Sequence, residues 1–505
     1  MILFESDQWI RKSNTYGIEI GICQGHWWKS MLLPYLVFTV IALHSVILSG
    51  IGSEDRTDAG QTDTKPNIVL IFTDDQGYHD LGSFGSTLIR TPNLDRMARE
   101  GVKFTDFYSA NSVCSPSRAA LLTGSYPPRT GITQVLFPRD TIGLNPDEMT
   151  IADMLKAEGY STACIGKWHL GHHPDFLPTR NGFDSYFGIP YSNDMTIDPR
   201  SAQFAHNVKF REGFSEQRVR KEKPAKNLVP LMRDELVIEY PADQTTLTRR
   251  YTDEAIEFIT ENRSNPFFLY LPHTMPHIPL FATPQFLGKS AEGLYGDTIE
   301  EIDWSVGRIL QTLTSLNIDK KTLVIYTSDN GPWNLKNGHG GSAFPLRGFK
   351  FSTYEGGMRV PCLMRWPETI PAGQTCREIA GTVDILPTLA AITGAELPHD
   401  ITIDGHNILP LMTDPESGIS PHSEGYFYYR GNRLEAVRRG NWKLRITGNN
   451  NKQSIELYNL ANDIGESRNI AETNHSIVDK LKNVMDDFDT SLKSTRRAPG
   501  RLRGE

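Results

Sequence analysis

The sequence predicts an α/β protein. A large domain with a mostly parallel, mixed sheet flanked by helices is followed by a smaller C-terminal domain with an antiparallel sheet and a helix. Three observations carry this expectation. Short apolar runs rich in β-branched residues recur, as in NIVLIF and TLVIYTS, and read as strands buried on both faces. Segments of helical periodicity alternate with these runs, which is the pattern of a parallel sheet with crossover helices. After about residue 380 the pattern changes to short strands separated by Gly and Asn turns.

The elements follow in order. Residues 31–52, MLLPYLVFTVIALHSVILSGIG, carry no charge, with Lys29 before them and the polar stretch EDRTDAGQTDTK after. They read as a secretory signal peptide, with a membrane anchor as the alternative. Either way the remainder is exported, to a periplasmic, extracellular or lysosome-like compartment. Residues 1–53 are thus an N-terminal extension with its signal, and 54–65 a polar linker. The large domain is expected over 66–380, where NLDRMAREG, IADMLKAEGY, TDEAIEFITENR and IEEIDWSVGRILQTLTSLN supply helices between strands. Within it, 195–250 is charge-rich with little periodicity and reads as an insertion. The smaller domain is expected over 381–490: VDILPTLAAITG as a helix, GYFYYRGNRLEAVRRGNWKLRI and SIELYNL as an antiparallel meander, and HSIVDKLKNVMDDFDTSLK as a last amphipathic helix. The Arg-, Pro- and Gly-containing tail 491–505 reads as disordered.

The 505 residues are 38% hydrophobic and 22% charged, a globular composition. A net charge of −8 leaves no excess of cations to neutralise phosphates and argues against a nucleic-acid partner. The five cysteines, Cys23, Cys114, Cys164, Cys362 and Cys376, show no CxxC pairing, so neither a disulfide framework nor a structural zinc site is expected. Cys164 and Cys362 lie in apolar runs and read as core residues.

Asp74 and Asp75 end the first predicted strand, and Asp329 and Asn330 end a later one. In an α/β sheet such strand ends face the ligand crevice. Two strands delivering carboxylates and an amide there suit a hard cation, Ca²⁺ or Mg²⁺. Cys114 lies at the mouth of a predicted helix with Arg118 one turn on. Helix starts favour anions, so the cysteine reads either as a reactive group or as part of a plain helix cap. The run HLGHH, containing His169, His172 and His173, invites a transition-metal reading, which the carboxylate-rich set outweighs.

Cys114-Ser115-Pro116-Ser117-Arg118, extended by AALLTG, resembles the C-x-P-x-R maturation signature of the type I, formylglycine-dependent sulfatases of the arylsulfatase A-like kind. GKWHLG, GIPYSND, PHTMPHIPL and LRGFKFSTYEGGMRVP resemble further motifs of that family in the same order, over about residues 66–470. The resemblance implies an alkaline-phosphatase-like fold. It also implies a sulfuric ester hydrolase and conversion of Cys114 to formylglycine by a maturation enzyme. Its implied catalytic residues are Cys114, Arg118, Lys167, His169, His277 and Lys350, with Ser192, Lys167, His277 and Lys350 contacting substrate. His277, not His273, is the implied active-site histidine. Asp74, Asp75, Asp329, Asn330 and the converted Cys114 would hold the metal, and the substrate would be a sulfated small molecule or polysaccharide. The alternatives are a phosphodiester or phosphonate monoester hydrolase of the same superfamily, and an exported non-catalytic binding protein.

Overall fold

The computed structural model describes residues 65–334, 339–449 and 452–502. The N-terminal extension with its signal-like run, Cys23 and nearly all of the linker therefore lie outside the described residues. Among those described, no helix is long and apolar enough to cross a membrane.

Five strands form the parallel centre of an 11-stranded sheet: β1 (Asn67–Thr73), β2 (Ser161–Lys167), β3 (Ser185–Ile189), β4 (Phe267–Pro272) and β5 (Thr322–Ser328). Their spatial order is β5-β1-β4-β2-β3. Every residue of β1 is buried, as its unbroken apolar run requires. Alternate side chains serve two cores. Ile68, Leu70 and Phe72 pack with Leu121 and Leu122 of helix α1 (Cys114–Thr123). Val69 and Ile71 pack with Tyr251 and Ile259 of α2 (Leu247–Glu261) and with Ile299 and Val306 of α3 (Gly293–Ser315).

The sheet is mixed at its flanks. Cys362–Arg365 runs antiparallel to β5, and Val102–Phe104 runs antiparallel to that strand. On the far side, the segment that showed little periodicity is not a loop. Leu231–Arg233, Leu236–Tyr240 and Phe204–Phe210 extend the sheet beyond β3. The last of these is an edge strand with no fully buried residue, so it carries no clean apolar alternation.

The C-terminal part holds helix α4 (Ile385–Thr393) and a four-stranded antiparallel sheet of β6 (Tyr426–Arg430), β7 (Arg433–Arg439), β8 (Trp442–Asn449) and β9 (Lys452–Asn459). Helix α5 (His475–Ser494) covers the sheet through Val478, Leu481 and Met485. The expectation of a disordered tail at 491–505 is corrected over its described part. The helix runs on to Ser494, Arg497 pairs with the buried Glu148 at 2.7 Å, and Gly500–Arg501 pairs with Ile142–Gly143. The composition of the tail suggests solvation, but its arginine finds a buried carboxylate and its backbone a strand. Cys164, Cys362 and Cys376 are buried and unbridged, as core cysteines.

Candidate active site

The parallel strands end on one edge of the sheet, and the chemistry gathers there. Thr73 of β1 stands in register with Ser328 of β5, so Asp74-Asp75 and Asp329-Asn330 leave the sheet side by side. All four are buried. The Asp75 backbone N–H donates to Asp329 Oδ1 at 3.1 Å, and Asn330 Nδ2 donates to Asp75 Oδ1 at 2.6 Å. Asp75 sits at φ 65°, a left-handed conformation that a non-glycine residue adopts only where its surroundings impose it.

Cys114 is the first residue of α1 and is buried. Its Sγ lies 3.6 Å from Asp74 Oδ1 and 3.3 Å from Lys350 Nζ. Lys350 arrives on the segment after β5 and grips both oxygens of Asp75, at 2.6 and 2.7 Å. Lys167, the last residue of β2, pairs with Asp74 and reaches Ser192 Oγ at 3.2 Å. One turn along α1, Arg118 donates to Asp329 Oδ2 at 2.8 Å and to the Lys167 carbonyl at 3.0 Å. Three buried cations thus face three buried aspartates.

Electrostatics separate the carboxylates. Burial resists ionisation of Asp74, but Lys167, His277, Arg118 and Lys350 outweigh it and hold this carboxyl well below its usual range. Burial, with the adjacent Asp74 charge, raises Asp75 despite Lys350. Burial and Asp74 together push Asp329 up to about 7. Burial also pushes the Cys114 thiol up to about 12, against the pull of Lys167 and Lys350.

The histidines divide cleanly. His277 Nε2 lies 3.7 Å from Asp75 Oδ2 and 3.3 Å from Ser192 Oγ, while Nδ1 bonds the Ile278 carbonyl at 2.6 Å. His273 points elsewhere, to Ser305 Oγ at 3.4 Å on α3. His169, at φ 59°, bonds the Leu136 carbonyl through Nε2 at 2.9 Å and leaves a buried Nδ1 without a hydrogen-bond partner. Burial, Lys167 and Arg118 hold His169 well below its ordinary value, so it is a neutral base near pH 7.

The structure brings the residues named from the sequence to this one edge, with His169 joined to the rest through the field of Lys167, Arg118 and Asp74 rather than by a direct hydrogen bond. Two features add to the expected arrangement. The set whose ligand atoms lie within 4.8 Å of one another is Asp74, Asp75, Cys114 and His277, so the histidine stands among the candidate ligands. Asp329 has both oxygens engaged, one by the Asp75 amide and one by Arg118. The reading also missed Asn193, whose Oδ1 lies 2.9 Å from His277 Nδ1, and Trp333, whose ring lies 4.8 Å from Lys350 Nζ. Asn193 sits inside GIPYSND, next to Ser192, and could have been read as the orienting partner. Trp333 gave no periodic or motif signal.

The donor set fits a hard divalent cation. It is rich in carboxylate oxygen, burial and the Asp74 charge raise two of its carboxyls, and the buried Asn330 Oδ1 has no hydrogen-bond partner.

Comparison with known proteins agrees with this geometry. The Sulfatase family model matches residues 66–395, and the model for the C-terminal region of N-sulphoglucosamine sulphohydrolase matches 349–491. The chain belongs to the sulfatase family. It is 39% identical over 471 residues to mouse (Mus musculus) steryl-sulfatase, covering 81% of this chain and 73% of that protein. It is 42% identical over 389 residues to cattle (Bos taurus) arylsulfatase A, covering 75% and 74%. It is 40% identical over 401 residues to mouse N-acetylgalactosamine-6-sulfatase, covering 75% and 72%. Among solved structures, Ps i-CgsB in complex with k-i-k-neocarrahexaose aligns with a TM-score of 0.74 at 31% identity, over 86% of this chain and 95% of that one. A phosphonate monoester hydrolase of Agrobacterium radiobacter shares the fold, with a TM-score of 0.57 at 18% identity over 87% of this chain and 100% of that one. The fold is thus alkaline-phosphatase-like and the enzyme a sulfuric ester hydrolase.

Proposed function

We propose that this enzyme hydrolyses a sulfate monoester to an alcohol and inorganic sulfate, with formylglycine at position 114 as its nucleophile. The observation that carries this is the setting of Cys114. Its Sγ lies 3.3 Å from Lys350 Nζ and 3.6 Å from Asp74 Oδ1, in a pocket lined with fixed cations. A thiol pushed up to about 12 is protonated near pH 7 and a poor nucleophile, which favours a converted residue there.

A maturation enzyme oxidises the side chain to an aldehyde, and its hydrate offers two hydroxyls. One attacks sulfur and displaces the alcohol. The second loses its proton, sulfate departs, and the aldehyde returns. His169 suits that proton transfer, because Nε2 is held by the Leu136 carbonyl and Nδ1 is free to accept. Lys167, Lys350, His277 and Ser192 would hold the sulfate oxygens, and Arg118 anchors Asp329 while adding positive charge beside the nucleophile. Lys350 or His277 would protonate the leaving oxygen; His277 is held low by burial and by Lys350, whereas Lys350 keeps its proton. A divalent cation, Ca²⁺ or Mg²⁺, held by Asp74, Asp75, Asp329 and Asn330 beside residue 114 would polarise the sulfate and acidify the hydrate. Two of the similar proteins carry a carbohydrate in their names, which favours a sulfated carbohydrate as substrate. The signal-like run 31–52 supports action after export.

The test is to express the full chain with a formylglycine-generating enzyme, confirm conversion by the mass of the Cys114 peptide, and add Ca²⁺. An aryl sulfate, an aryl phosphate diester and a phosphonate monoester are then compared. Sulfate release that disappears in Cys114→Ala and on chelation, and returns with metal, is the expected result. Preferential turnover of a phosphorus ester moves the chain to that reaction. Inactivity of fully converted protein removes the reading of a general sulfatase site, and an unconverted Cys114 beside an active maturation enzyme favours a binding protein.

A further inference from the structure

A second group of ligating side chains lies outside the active site. His172 and His173 follow β2, three and four positions beyond His169. Asp198 follows β3, six positions beyond Ser192. The fold brings the two segments together, and one ligand atom from each of the three residues lies within 4.8 Å of the other two. All three are more than nine-tenths buried, at 7%, 8% and 4% exposure.

We propose that His172, His173 and Asp198 bind a divalent transition-metal ion, Zn²⁺ by the chemistry of the set. Two imidazoles and one carboxylate suit zinc better than Ca²⁺, which prefers an all-oxygen shell. His172 Nε2 and Asp198 Oδ2 are 3.3 Å apart. That is close to the edge of a tetrahedron built on bonds of about 2.0 Å, roughly 3.3 Å. His173 Nε2 is buried with no hydrogen-bond partner. The His173 ring also makes a backbone hydrogen bond at Asp140. One nitrogen bonded to backbone and the other unclaimed is the usual state of a metal-ligating histidine. Metal would take the place of the proton that His172 Nε2 now shares with Asp198. Beside them, a cavity of about 20 Å³ lined by His172, Tyr191, Asp198 and Ser201 has room for one water as fourth ligand.

A plain ion pair accounts for only part of this. Arg200 meets Asp198 at 3.0 and 3.1 Å, and His172 completes a hydrogen-bonded trio. That trio gives His173 Nε2 nothing to do. The Arg200 side chain is 65% exposed, so it has room to turn toward solvent as metal takes up the carboxylate. The ion would pin the segment carrying His169 to the segment carrying Ser192, holding two walls of the active site in register. The inference stands apart from the sulfatase reading, since it uses none of those residues.

The experiment uses the untagged full chain, stripped with chelator and then equilibrated with Zn²⁺ in a large excess of Ca²⁺, which occupies the carboxylate site. Bound zinc is counted by elemental mass spectrometry, and Co²⁺ substitution reports coordination through its visible absorption. The expected result is one zinc per chain with a tetrahedral cobalt spectrum, unchanged in Cys114→Ala. Zinc affinity should fall at least tenfold in His173→Gln, with thermal unfolding of the zinc-free protein unaltered. Asp198→Asn serves the same purpose if His173→Gln does not fold. Absence of bound zinc overturns the proposal, and so does zinc binding that survives both variants.

Discussion

At the strand ends, Asp74, Asp75 and Asp329 face Arg118, Lys167 and Lys350; where the segment after Lys350 meets the C-terminal sheet, Glu355, Glu466 and Asp106 face Arg359, Arg438 and Lys443. The two clusters have the same number of fixed charges of each sign, and both are buried. In the second, Glu355 and Asp106 are matched, while burial, with the Glu355 charge, raises Glu466 despite Lys443. Lys443 Nζ lies 2.9 Å from Glu355 and 2.9 Å from Glu466, Tyr108 and Tyr428 donate to Glu355 at 2.6 and 3.0 Å, and Arg359 and Arg438 share Asp106 at 2.8 and 2.6 Å. Burial resists ionisation of Glu355, yet Lys443, Arg438 and Arg359 hold it well below the usual carboxylate range. In the first cluster Asp75 and Asp329 are raised, and Asn330 Oδ1 is left unbonded. Burial raises both there, and the Asp74 charge adds to it, against Lys350 at Asp75 and Arg118 at Asp329. The difference is one of degree: at the joint one carboxyl, Glu466, is raised, and at the strand ends two are, Asp75 and Asp329.

This comparison is open to test. Lys443→Met removes the cation shared by Glu355 and Glu466, and should cost about 3–5 kcal/mol in denaturant unfolding. Molecules that remain folded should turn over as before. Lost turnover with stability intact would put the joint inside the active site. Lys350→Met should do the reverse in the Ca²⁺-loaded enzyme. Turnover should drop by about 10²–10³-fold, the scale of one lost donor to the reacting oxygens, with little change in melting temperature. A variant that unfolds instead would make Lys350 a structural partner of Asp75.

The active site was the more legible of the two clusters. Asp74 and Asp329 follow unbroken apolar strands, and a parallel sheet must deliver such residues to one edge. Cys114 and Arg118 share a short motif, and a helix fixes their relation. The joint was not legible, because its charges come from separated places: Asp106, Glu355, Lys443 and Glu466 meet only in the folded chain, through Arg359, Arg438 and Lys443. Nothing in the motif around YEGG reveals that Glu355 would meet three cations and two tyrosines. The zinc proposal falls between these cases. The paired histidines were visible, while Asp198 lay in a charge-rich stretch whose extra strands left no apolar alternation to read. The tail was misread because one arginine with a buried acceptor outweighs a polar composition.

The smallest expected effect separates two histidines four residues apart. Both are buried, but His277 faces Asp75 and Ser192, whereas His273 contacts Ser305. Burial alone pushes His273 down to about 3. Unfolded, it would titrate near 6.5, so the unfolded chain binds its proton first as pH falls. Stability from this group is therefore complete above about pH 6.5 and is lost progressively as the pH drops toward the folded value. By pH 5 the loss, relative to the alkaline side of about pH 6.5, amounts to about 2 kcal/mol. His273→Gln keeps an acceptor and a donor near Ser305 and removes the titration. Its unfolding free energy should thus vary less steeply with pH than that of the parent protein, by about that amount, with turnover unchanged. His277→Gln should lower turnover. If the two variants exchange these phenotypes, the assignment of the active-site histidine is reversed, and with it the wall of the pocket that Ser192 and Asn193 are held to build.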